Sequence, residues 1–252
     1  MRSILPAVCI LTLLGCAEAN PDDGENDVIK PTKSANLRDV PCTDQSISML
    51  MLYDEPASGK IREEGEDPDG FVSYVDATGG GLNATQSFVY ARFTDKGLVK
   101  VALSDDDAFE SLDWDIAFRR YVVRVNSGVS GPGEVTVART APKTQFADLK
   151  AVPANLDLRT EQYFTEDGCE LVADGSGLNA PATALASFWT YQNCVQMTKN
   201  VYVLALPKKR HVKLEVLSYY SPENQKVCDA TGKVPMTASG AGNVRVRWNF
   251  LP

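Results

Sequence analysis

The feature that most constrains this chain is a succession of short runs rich in Val, Tyr, Phe and Thr, each closed by Gly, Asp, Asn or Pro. The runs are Phe71–Val75, Ser87–Phe93, Leu98–Leu103, Trp114–Val125, Glu134–Ala138, Ser187–Tyr191, Val201–Leu206, Val212–Tyr220 and Val244–Phe250. Runs of this length between turn residues suit antiparallel strands and hairpins. Within Trp114–Val125 the period is two: Trp114, Ile116 and Phe118 fall on one face, with Asp115, Ala117 and Arg119 on the other. Val212, Leu214 and Val216 against Lys213 and Glu215 repeat the pattern. Helical periodicity is sparse, with short helices expected only at Ala35–Leu37, Gln45–Met51 and Thr144–Leu149. The expectation is a mostly β fold: antiparallel strands and hairpins in a single domain over 41–252, with few short helices. The Gly-, Asp- and Asn-rich stretch Pro153–Ala186 reads as a long loop excursion.

Composition narrows the function. Lys and Arg number 25 against 33 Asp and Glu, a net charge of -8, which repels phosphate backbones and argues against nucleic acid. His211 is the sole histidine. A multi-histidine metal site is therefore excluded, and any His-dependent catalytic triad would have to use that one residue. The acidic stretches Asp105-Asp106-Asp107 and Glu66-Asp67-Pro68-Asp69-Gly70 miss the spacing of a calcium loop. Gly128-Val129-Ser130-Gly131 is not a nucleophile elbow. Asn83-Ala84-Thr85 matches a glycosylation acceptor. A binding protein is expected, without catalysis.

The N-terminus reads as an address. Arg2 precedes an apolar run, Ile4–Leu14, too short to span a bilayer. Leu13-Leu14-Gly15-Cys16 resembles a bacterial lipobox, which implies removal of 1–15 as a signal peptide and acylation, palmitate included, at Cys16. Several acyl chains on one Cys anchor firmly, at about 0.8 kcal/mol per buried CH₂. Ala17, where inner-membrane sorting would want Asp, implies the outer membrane. Residues 16–40 are rich in Asp, Asn, Pro and Lys and are expected to be a flexible tether with a reach of roughly 25–30 Å.

Removing Cys9 with the signal and Cys16 to lipid leaves Cys42, Cys169, Cys194 and Cys228. An even number in an exported chain suggests two disulfides, for which there are three possible pairings. Val201–Leu206 and His211–Leu217 look like hairpin arms around Pro207–Arg210. Extending that register outward carries Cys194 toward Cys228, which favours Cys194–Cys228 and leaves Cys42–Cys169. A Cys₄ zinc site is the alternative, and no C-x-x-C spacing supports it.

Two motifs carry a family resemblance. Asp113-Trp114-Asp115-Ile116-Ala117-Phe118-Arg119-Arg120-Tyr121 runs on to Val125-Asn126-Ser127-Gly128. Ser187-Phe188-Trp189-Thr190-Tyr191, Val201-Tyr202-Val203-Leu204, His211-Val212-Lys213-Leu214 and Leu217-Ser218-Tyr219-Tyr220 follow, closed by Val244-Arg245-Val246-Arg247-Trp248. From about Phe71 to Phe250 the chain resembles the HmuY family of lipid-anchored, haem-binding, β-rich surface proteins. The resemblance implies a HmuY-like domain, haem as ligand, and an outer-membrane receptor as a further partner. It also implies axial ligands, a His pair in some members and Met in others. His211 stands where relatives have a small or aromatic residue and reads as a surface residue. The segment where many relatives carry a His reads Gln192-Asn193-Cys194-Val195-Gln196-Met197-Thr198, which makes Met197 the leading candidate for the haem iron. Met197 serves equally well as a gap-filling hydrophobe. Tyr163 or Met236 is nominated for the opposite side, and Lys208, Lys209 and Arg210 for the propionates. The same aromatics would fill a β core whatever the ligand.

Overall fold

The computed structural model describes residues 28–67, 70–79, 85–235 and 238–252. The signal segment, Cys16, most of the expected tether, the middle of the 66–70 acidic stretch, Asn83-Ala84 and Met236 lie outside the described residues. The strands are β1 Ile61–Asp67, β2 Gly70–Asp76, β3 Val89–Thr94, β4 Gly97–Val101, β5 Ile116–Arg119 and β6 Val122–Val125. β7 Thr136–Arg139, β8 Trp189–Tyr191, β9 Val195–Met197, β10 Val201–Leu206, β11 Arg210–Ser218 and β12 Asn243–Leu251 follow. The helices are α1 Thr43–Met49, α2 Asp105–Ala108 and α3 Pro222–Thr231. A six-stranded sheet has the order β1-β2-β12-β11-β10-β7, a four-stranded one β4-β3-β5-β6, and β8-β9 form a separate hairpin. The named strands pair antiparallel throughout. No helix among the described residues is long and apolar enough to cross a membrane.

The two larger sheets share one core. Val244, Val246 and Trp248 of β12 and Val212, Leu214 and Val216 of β11 meet Ala91 and Phe93 of β3 and Ile116 and Phe118 of β5. Burial of such side chains contributes roughly 1.5–3 kcal/mol each. The small sheet is buried on its other face as well. There Tyr90, Val101, Ala117 and Trp114 pack with Ala108 of α2 and with Ile29. This corrects the period-two reading around Trp114. The tryptophan precedes β5 and belongs to the Ala117 layer, and Asp115 and Arg119 are themselves buried, 7% and 9% exposed. A strand covered on both sides shows no polar face.

Further differences have local causes. Trp114–Val125 is a hairpin, not one strand. Arg120 and Tyr121 form its turn, with Arg120 at φ 53° and its N–H donated to Ala77 O at 2.7 Å. β1, Ile-Arg-Glu-Glu-Gly-Glu-Asp, has no apolar run. Its Glu63 accepts bonds from Ser73 Oγ and Leu98 N, both at 2.7 Å, at the sheet edge. α3 follows a Ser221-Pro222 start and stops at Gly232, φ 68°, a legible pair of signals. α1 begins earlier than expected, Thr144–Leu149 contracts to a 3-10 turn at Phe146–Asp148, and Ala35–Leu37 is not helical.

The expected tether is docked from Ile29 onward. Ile29 bridges Val101, Thr32 N donates to Asp113 Oδ2 at 2.8 Å, and Ser34 Oγ accepts from Leu112 N. Arg38 donates to Gly131 O at 2.9 Å and Pro132 O at 3.2 Å. We call residues 29–38 the strap. Cys42 is bonded to Cys169 and Cys194 to Cys228. Cys228 meets Cys194 from α3 instead of from a prolonged hairpin arm, and both sulfurs' residues are fully buried.

Candidate functional site

The Trp114 motif makes a polar knot. Trp114 Nε1 donates to Ala108 O at 3.1 Å. Asn126 Nδ2 donates to Ser111 O and Trp114 O, and its Oδ1 accepts from Gly133 N. Gly128, φ 57°, lies so close to the excursion that a Cβ there would stand 1.8 Å from Glu161 O. Glu161 is sealed at 0% exposure, where its carboxylate accepts the Val125 and Ala184 N–H groups. Burial pushes that carboxyl up to about 7 despite those two donors and nearby Arg124. Arg124 is also fully buried, 4.3 Å above the Phe88 ring, 3.6 Å from Asp105 and bonded to the Tyr90 hydroxyl. The motif residues therefore hold the domain together.

The β8–β9 hairpin borders the first opening. Trp189 pairs with Met197 and Tyr191 with Val195, so alternation sets all four on one face. α3 supports the hairpin from below. Met197 N donates to Asp229 Oδ1 at 3.0 Å, Gln225 Nε2 to Val195 O at 3.0 Å, and Val195 N to Tyr220 Oη at 3.1 Å. A cavity of about 380 Å³ opens beside it, bordered by Arg139, Asp174, Trp189, Tyr191, Thr198 and Asn200. Trp189 Nε1 is buried there with no hydrogen-bond partner, and Tyr191 is 42% exposed. Arg139 also borders a polar groove of about 790 Å³ with Arg159, Gln162, Thr183 and Tyr202.

The nominated residues are scattered. Met197 is 9% exposed and belongs to the main core. Tyr163 is fully buried in a different cluster with Leu50, Val129 and Phe164, its hydroxyl 2.9 Å from Ser130 Oγ. Burial raises that phenol's pKa, and it does not share the Met197 face. Lys208 and Arg210 stand at the Leu206 end of β10, about 20 Å along that six-residue strand from its Val201 end, and Met197 lies before the Val201 end, in β9. They do not border the cavity beside the Met197 hairpin. Arg210 instead pairs with Asp95 at 2.6 Å and lies 3.9 Å over the Phe250 ring. His211 sits in the β11 register opposite Ala205 and Leu251. Arg139, Trp189 and Tyr191, which border the hairpin cavity, were not among the residues nominated from sequence. Tyr191, an aromatic just before the turn that replaces the relatives' His segment, was the available signal.

Lys208 and Arg210 border a second opening, a cleft of about 610 Å³ walled by Leu37 and Arg38 of the strap, Arg92 and Phe93 of β3, and Leu112, Trp114 and Asp115.

Among solved structures, one described as a HmuY-like heme binding protein from Bacteroides vulgatus is 16% identical, with 74% of this chain and 95% of that one covered at a TM-score of 0.46. An apo HmuY analog from Tannerella forsythia is 14% identical, covering 79% and 100% at a TM-score of 0.41. A lipoprotein structure from Bacteroides fragilis is 16% identical, covering 71% and 89% at a TM-score of 0.41. No curated protein matches. The HmuY protein family model matches residues 84–231, more than half of the chain and the whole stretch from the Trp114 knot through the β8–β9 hairpin to α3: the chain belongs to the HmuY family.

Proposed function

We propose that this protein is an envelope lipoprotein, acylated at Cys16 and held at the outer face of the outer membrane, that captures haem without catalysis and passes it to a receptor in that membrane. The observation that supports haem most directly is the cavity beside the β8–β9 hairpin. Trp189, the Tyr191 phenol and the Arg139 guanidinium border one cavity, and the Met197 thioether, 9% exposed, lies on the same hairpin face. Trp189 and Tyr191 suit the porphyrin face, Arg139 a propionate, and the Met197 thioether and Tyr191 phenolate are both haem-ligand types. His211, Tyr163, Lys208 and Arg210 have no part in this reading.

The test is a hemin titration of the chain from Ala17 onward, read at the Soret band. A stoichiometric shift is expected, weakened by about tenfold or more in Tyr191→Phe and in Met197→Ala, and by a smaller factor in Arg139→Ala. A hemin spectrum unperturbed at micromolar protein overturns haem capture. A second reading then stands, in which this HmuY fold recognises another ligand or a protein partner. The near-complete burial of Met197 favours it. Labelling with a palmitate analogue, lost in Cys16→Ala, tests the anchor.

A further inference from the structure

The 610 Å³ cleft at the far end of β10 takes no part in haem capture, yet its chemistry is specific. Its floor is carbon-rich, with Phe93, Trp114 and Leu112, the last 45% exposed. Its rim carries Arg38, Arg92, Lys208 and Arg210 against Asp115 and Glu134, a local excess of positive charge on a chain of net charge -8. Arg38 is spent on loop carbonyls, and Arg92 holds Leu112 O at 2.8 Å and Asp113 at 3.4 Å. Arg210 lies over the Phe250 ring and pairs with the exposed carboxylate of Asp95, and Lys208 has no hydrogen-bond or ion-pair partner among the described residues. Exposed pairs of the Arg210–Asp95 kind contribute little and exchange readily.

Asp115 lies in this cleft. One of its oxygens accepts the Phe93 N–H at 3.0 Å, and the other has no hydrogen-bond partner among the described residues. A buried carboxylate with a vacant oxygen at the base of a cationic rim opposes an incoming anion until it takes a proton. We propose that this cleft is a second ligand site, for an amphipathic anion with an apolar body against Leu112 and Leu37 and its charged head at Lys208 and Arg210, and that Asp115 strengthens its capture in acid.

The charges around Asp115 set the sign. Arg92 faces it from β3, Arg210 and Lys208 from the β10–β11 tip, and Arg38 from the strap. Asp113 adjoins it before β5, Glu134 precedes β7, and Asp95 sits in the β3–β4 turn. Desolvation outweighs the Phe93 N–H and the two arginines and raises the Asp115 carboxyl to about 6. It is thus charged at pH 7.5 and neutral at pH 5.5, and a bound anion favours the neutral form.

The probe is decanesulfonate, which stays ionised across that range, titrated calorimetrically into the full chain. Saturable binding is expected, at least about fivefold tighter at pH 5.5 than at pH 7.5. Lys208→Glu with Arg210→Glu, two exposed changes, should weaken it about tenfold or more at both pH values. Asp115→Asn should bind at pH 7.5 as the unaltered chain does at pH 5.5. No saturable heat at millimolar probe overturns the site, as does binding indifferent to the charge reversals. An unchanged pH dependence in a folded Asp115→Asn removes the role of Asp115. Hemin binding should persist in both variants, so the haem reading fails or survives separately. Competition between hemin and decanesulfonate for one site would overturn the second site.

Discussion

The two ends of β10 are built on different principles. At the Val201 end, a hairpin of three-residue strands is held by a disulfide and by polar bonds to one helix. At the Leu206 end, loops and the strap are knotted to the small sheet by Asn126, Arg38 and Trp114. A two-stranded ribbon is marginal alone. The first end therefore depends on a covalent cross-link, the second on a hydrogen-bond network continuous with the core. Openness at each end is a consequence. The hairpin leaves Tyr191 exposed beside a cavity, and the knot leaves a cleft between strap and sheet.

Breaking the cross-link should have the largest effect. Replacing Cys194 and Cys228 together by Ala should cost about 3–4 kcal/mol in urea unfolding, from the entropy of the loop they close. Hemin response should fall with it, while decanesulfonate binding persists below the unfolding transition. Loss of both activities together would show that the ends are one cooperative unit. Next comes Asn126→Ala, which strips three buried partners. A loss of about 1–3 kcal/mol is expected, with the anion cleft impaired and the hairpin end intact.

Acidity sharpens the contrast further. Asp115 and Glu161 both have raised pKa values in the folded state, about 6 and about 7 against ordinary values of 3.8 and 4.5. The native chain thus binds more protons than the unfolded one across that window. Stability should fall as pH rises from about 4 to 7, by about 1 kcal/mol per pH unit for each group while it titrates. Denaturant midpoints measured from pH 5 to 8 check this, and Asp115→Asn should remove its share of the slope. The smallest effect is expected from Lys33→Ala. It breaks an exposed pair with Glu110 and should change stability by no more than about 0.5 kcal/mol. Arg38→Ala, which frees the carbonyls of Gly131 and Pro132, should exceed it.

Much of this architecture was legible in the chain. The Val212–Val216 alternation is the buried inner face of β11, and Pro207–Lys209 is the tip of the β10–β11 hairpin. The outward register of that hairpin pointed to Cys194–Cys228, although a helix completes the approach. What escaped was partnership at a distance. β1 is an acidic segment that is a strand because β2 pairs with it and Glu63 finds donors on two neighbours. The strap looked like a free tether because its composition is polar. It is fixed by carbonyls and carboxylates contributed some eighty to ninety residues later.

The sequence alone determined the β class, the hairpins, the cysteine set and the family, because each rests on local periodicity, turn chemistry or a contiguous motif. Tertiary structure decided which residues share a site. It set Met197 in β9, before the Val201 end of β10, and Lys208 in the turn after its Leu206 end, sealed Tyr163 in a separate cluster, and placed Asp115 in the lining of a cationic cleft. Those outcomes depend on which surfaces are covered by segments far away in the chain, a quantity no local pattern encodes.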